Sequence, residues 1–111
     1  MFEMSKQGAV SVIAGDDPLN SQHLPAVAKL IEQCLATGQP RIVINLQHVP
    51  LIDSAGLELL CKARLDCGQR GGTIELAAPN LLCRDILSAT RLTEQFALFD
   101  DLLAAVGSFA Q

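Results

Sequence analysis

The chain has 111 residues and half of them are hydrophobic, enough for one domain with a single core and too few for two. Tryptophan and tyrosine are absent and only four phenylalanines occur, so the core has to be built from aliphatic side chains. The formal charge is −4 with lysine and arginine scattered, which leaves no basic stripe for nucleic acid. No apolar run reaches the about 20 residues that a membrane span needs, and no basic-then-apolar leader opens the chain. The expectation is a cytoplasmic protein with neither nucleic-acid binding nor membrane insertion.

In chain order, Phe2 to Lys6 reads as a short strand, Gln7-Gly8 as a turn and Ala9 to Ala14 as a second strand. Gly15-Asp16-Asp17-Pro18 is loop punctuation. A helix follows to about Thr37, with Leu24, Val27, Ile31, Cys34 and Leu35 at helical spacing and Pro25 in its first turn. Gly38 ends it, and Pro40 prevents a restart.

Arg41 to Leu46 reads Arg-Ile-Val-Ile-Asn-Leu, a β-branched run suited to a strand buried on both faces. Gln47 to Asp53 crosses to a second helix, from Ser54 or Ala55 to about Gln69. Leu57, Leu60, Cys61 and Leu65 are its expected inner side; Glu58, Lys62, Asp66 and Arg70 form a solvated face of i, i+4 pairs. After Gly71-Gly72, a strand from Thr73 to Ala78 leads to Pro79-Asn80, with Asn80 as N-cap of a third helix. Leu82, Cys83, Ile86 and Leu87 are expected to face inward there. A brief strand from Phe96 to Phe99 and a closing helix started by Asp100 and Asp101, through Leu102, Leu103 and Val106, complete the chain.

Alternating strands and helices with short links imply an α/β fold: a mixed, mostly parallel sheet of four or five strands with about four helices. One domain accounts for residues 1–111. The four cysteines have neither disulfide nor Cys-x-x-Cys spacing, and neither His23 nor His48 stands at metal-ligand spacing from one. Reduced thiols and no metal are expected.

One stretch resists a purely architectural reading. In Val49-Pro50-Leu51-Ile52-Asp53-Ser54-Ala55-Gly56-Leu57, two first-rank N-cap residues, Asp53 and Ser54, stand side by side where a strand hands over to a helix. Helix N-termini expose unsatisfied N–H groups and partial positive charge, so a phosphate on a serine there gains hydrogen bonds and dipole energy. Gly56, one turn in, costs roughly 1 kcal/mol against alanine and implies close approach by another backbone or a partner. The plain structural alternative is that Asp53 caps, Ser54 is a spare polar residue and Gly56 packs on the sheet. A serine-hydrolase elbow fits poorly: Ile52 stands where it needs glycine, and both histidines precede Ser54. No catalytic residue is therefore assigned.

From Val10 to Val106 the chain resembles the STAS domain, the family of bacterial anti-sigma-factor antagonists. The resemblance rests on the strand Ile42-Val43-Ile44-Asn45-Leu46, the link Val49-Pro50-Leu51-Ile52, and Asp53-Ser54-Ala55-Gly56-Leu57 opening a helix. Gly71-Gly72, Ile86-Leu87, Phe96 and Phe99 support it. It implies that Ser54 is phosphorylated by an anti-sigma factor that is also a serine kinase. The unmodified form would bind that kinase, the phosphorylated form would let go, and a phosphatase would reset it. Asp53, Ser54, Ala55, Gly56, Leu57 and Glu58 would then form the partner-binding turn. The resemblance equally allows a STAS accessory subunit docking on a transporter ATPase, or in a larger signalling complex, without phosphorylation. Two positions depart from the family pattern: Asn45 stands where many members carry aspartate, and Ala55 where the best-known members have a second serine. With no phosphate-cradling glycine loop, no cofactor is assigned.

Overall fold

A computed structural model describes residues 1–36 and 38–110. Strand β1 (Glu3–Gln7) and β2 (Val10–Ala14) form an antiparallel hairpin turning at Gly8, whose φ of 62° suits glycine. Helix α1 (Leu24–Leu35), β3 (Arg41–Asn45), α2 (Ser54–Gln69), β4 (Thr73–Ala77) and α3 (Leu81–Ala89) follow. A 3₁₀ turn (Leu92–Glu94), β5 (Leu98–Phe99) and α4 (Leu102–Ser108) close the chain. The expected end of the first helix at Thr37 lies outside the described residues.

The five strands lie in chain order, β1-β2-β3-β4-β5, with β2 to β5 parallel. Each crossover from β2 onward advances the sheet in one direction, so a constant right-handed sense places α1, α2 and α3 on one face. The period of two along β3 then divides its side chains between two cores. Ile42 and Ile44 join Ile13, Val27, Ile31, Leu60, Leu76, Cys83 and Leu87 in the larger cluster. Val43 turns the other way and meets Val10, Val12, Ala77 and Ala105 under α4. The double burial expected of Arg41 to Leu46 holds, from Ile42 on, for this reason.

Two helices are rotated from their expected faces. Helix α2 buries Gly56, Leu60, Ala63 and Cys67 and leaves Leu65 61% exposed. Three of those four are small, which lets the helix lie close to the sheet; Leu57 and Cys61 sit at the edge of the stripe. Helix α3 buries Cys83 and Leu87, while Leu82 is 52% exposed. The first strand runs one residue later than expected, Ala9 belongs to the hairpin turn, and the last strand shrinks to two residues. Ala78 leaves β4 with a left-handed φ of 56°, turning the chain toward α3. Among the described residues no disulfide joins the cysteines; three are buried and Cys61 is half-buried.

Candidate functional site

The candidate site begins where β3 ends. Asn45 is nearly buried, and its Oδ1 accepts the Gln47 N–H at 3.2 Å, a local bond that turns the chain out of the strand. The Val49 N–H returns to the Leu46 carbonyl, and Val49 is fully buried. Pro50 and Leu51 then surface, Ile52 dives back into the core, and Asp53 meets the start of α2.

Asp53 takes the capping role. Its Oδ1 accepts the Gly56 N–H at 2.9 Å from an extended backbone, satisfying one orphan donor of the helix. Ser54 becomes the first residue of α2, exposed, with its hydroxyl making no hydrogen bond to the described residues. Of two adjacent cap candidates the structure uses one and leaves the other at the surface. Glu58, one turn further, is also exposed, and Ala55 and Leu57 are half-buried beside it.

Gly56 is buried, so its contribution to the turn is space. A Cβ there would overlap the carbonyl oxygen of Leu19 and come within 2.9 Å of Ile52 Cγ2. The close approach inferred from the sequence is thus made by the chain's own β2–α1 loop. The Leu19 N–H donates to the Leu51 carbonyl at 3.0 Å, and the Asp53 N–H donates to the Leu19 carbonyl at 3.1 Å. This isolated parallel bridge fixes the link from one side. From the other, the Asn80 side chain donates to the Val49 and Pro50 carbonyls at 3.2 and 3.3 Å. The sequence marks Asn80 as a helix start alone; no local signal distinguishes a cap that also reaches 30 residues back.

The β2–α1 loop also brings acidic groups to this end of the sheet. Asp16 and Asp17 pair with the Met1 ammonium at 2.7 and 2.6 Å, and His23 lies 3.7 Å from Asp17. The hydrogen bond from that ammonium, with its charge and a smaller contribution from His48, holds the Asp16 carboxyl below its ordinary value. His48 is exposed and lines an open depression with Asp16, Gly15 and Met1. The larger surface cleft, lined by Arg64, Leu65, Gln69 and Gln95, lies at the far end of α2 from Ser54. Among the described residues no cluster of histidine, cysteine and carboxylate could hold a metal ion, and no helix is long and apolar enough to cross a membrane.

The family model of the STAS domain matches residues 1–105. The chain belongs to the STAS domain family. Solved structures agree with this at the level of the fold. A Thermotoga maritima protein described as a candidate anti-sigma factor antagonist superposes with a TM-score of 0.92 at 22% identity, covering 99% of this chain and 95% of that one. An anti-sigma factor antagonist from Mycobacterium paratuberculosis gives 0.88 at 23%, covering 100% and 94%. SpoIIAA, a Bacillus cell fate determinant solved in its phosphorylated form, gives 0.76 at 16%, covering 98% and 99%. A sequence search of curated proteins found no match. Against this STAS framework the Asp53-Ser54-Ala55-Gly56-Leu57 turn opens the second helix, as its spacing predicts, and the mixed five-stranded sheet agrees with the expected fold class.

Proposed function

We propose that this STAS domain protein is an anti-sigma-factor antagonist whose binding to an anti-sigma serine kinase is switched by phosphorylation of Ser54. The reading is of a binding protein acting through protein partners, with a phosphatase restoring the unmodified state. One observation carries it. Asp53 has already satisfied the cap, so the Ser54 hydroxyl stands exposed at the first position of α2 with no structural duty among the described residues.

The physical chemistry of such a switch follows from the surroundings. A phosphate would bring about −1.5 to −2 charge units to a turn that already carries Asp53 and Glu58. It would be tolerated in the free protein, where water and the helix N-terminus solvate it. Against a docked partner the same dianion would have to shed water beside like charge, and that cost favours release. The proposed contact residues are Asp53, Ser54, Ala55, Leu57 and Glu58, with Gly56 setting the backbone height beneath them.

The test is phosphosite mapping on protein captured from its native host, with pull-downs of two variants. Ser54→Ala should retain the kinase and never be released; Ser54→Asp should lose it. Capture of a serine kinase unaffected by either variant, with no phosphate on Ser54 in any growth condition, would overturn the reading.

A further inference from the structure

The β3–α2 link is held from two sides, and on the α3 side the Asn80 amide is the group that ties both Val49 and Pro50, with Cys83 adding a contact to Val49 alone. Asn80 Oδ1 accepts the Cys83 N–H at 2.8 Å, which settles which end of the amide faces the helix. The NH₂ end therefore faces away, toward the Val49 and Pro50 carbonyls at 3.2 and 3.3 Å. Cys83 Sγ approaches the same Val49 carbonyl at 3.5 Å. Proline offers no N–H of its own, so its carbonyl is the one backbone group through which Pro50 can be tied.

We propose that Asn80 is a positioning residue for the Ser54 turn, joining it to the first turn of α3 so that a change at Ser54 is carried there. The proposal rests on the reading of Ser54 as the phosphate acceptor. A planar amide that caps one helix and holds the link leading into another makes the two move together. A negative charge on Ser54 draws on the N–H groups that open α2 and competes with Asp53 for them. The resulting movement of the link is restrained at Leu19 on one side and passes to α3 through Asn80 on the other. It then reaches the surface, because the first turn of α3 presents Leu81 and Leu82 to solvent.

Amide ¹H–¹⁵N spectra of four chains test this: wild type, Ser54→Asp, Asn80→Ser and the double variant. Serine retains an oxygen able to cap α3 but lacks the amide donors. Ser54→Asp should displace the signals of residues 54–57 and of residues 81–84 in the wild-type background. With Asn80→Ser, the displacements at 81–84 should fall by about half or more while those at 54–57 persist. Asn80→Asp, which keeps the acceptor and loses both donors, should behave like Asn80→Ser. Equal displacements at 81–84 in all backgrounds, or none in any, would overturn the proposal. Because Ser54→Asp supplies the charge directly, this outcome is independent of whether a kinase modifies Ser54, which phosphosite mapping decides separately.

Discussion

The carbonyl oxygen of Leu19 occupies the place that a Cβ on Gly56 would need, so the loop before α1 and the first turn of α2 are in backbone contact. That contact and the Leu19–Ile52 bridge set the depth at which the turn sits, and hence leave Ser54 at the surface. Gly56 is therefore required by close approach and not by its φ, since it lies within the helix.

A pair of glycine substitutions separates these causes. Gly56→Ala should destabilise the domain by about 1–3 kcal/mol, because the Leu19 backbone carbonyl and the buried Ile52 side chain both resist the added methyl. Gly68, also in α2, has open space around it, so Gly68→Ala should instead stabilise by about 0.5–1 kcal/mol through helix propensity alone. Thermal melts read both directly; a Gly56→Ala protein melting with the wild type would refute the Leu19 contact.

The rotation of α2 makes a second prediction. Leu60 is fully buried, and Leu60→Ala should cost about 2–5 kcal/mol. Leu65 looks equivalent in a helical pattern but is largely exposed, so Leu65→Ala should stay within about 0.5 kcal/mol of wild type. Denaturant titrations that ranked the two variants together would show that the helix presents a different face.

A third concerns Glu75, 8% exposed under α4 on the same sheet face as Val43. Burial pushes its carboxyl above the ordinary 4.5, opposed by a hydrogen bond from Ser108. The single Ser108 hydroxyl proton lies between two acceptors, Glu75 Oε2 and the Ala105 carbonyl, each at 2.7 Å. A proton on Glu75 turns both contacts into hydrogen bonds. The charged groups placed on this face of the sheet are Arg41, exposed on β3, and Glu3 on β1; α4 contributes none. A folded pKa above the unfolded one gives stability that is complete below the unfolded value and is lost as pH rises through the folded value. Glu75→Gln should therefore melt above wild type near about pH 7.5, with the gap closing toward about pH 4.5. Parallel melting curves across that range would remove the buried-acid account.

The elements were legible because their signals are local. The β-branched run Ile42-Val43-Ile44, bounded by Pro40 and a loop, favours a strand covered on both faces, and all three residues are fully buried. Pro25, Asp53, Asn80 and Asp101 punctuate helix starts through their own backbone or side-chain chemistry, and the structure finds each of them there. The buried face of α2 was not legible, since Gly56, Ala63 and Cys67 are selected for being small, and small residues carry little hydrophobic pattern.

That Asp53 and Ser54 compete for one cap at the entrance to a helix is written in the chain itself, because capping needs only a short side chain and the next three residues. The choice of Asp53 over Ser54, and the purpose of the space at Gly56, are decided by the assembled fold. Leu19 meets Gly56 and bonds Leu51 and Asp53, while Asn80 bonds Val49 and Pro50, and both reach the link into α2 from segments far away in the chain. Such contacts form only when the parallel sheet brings the β2–α1 loop and the start of α3 to either side of the Ser54 turn, and no local pattern encodes them.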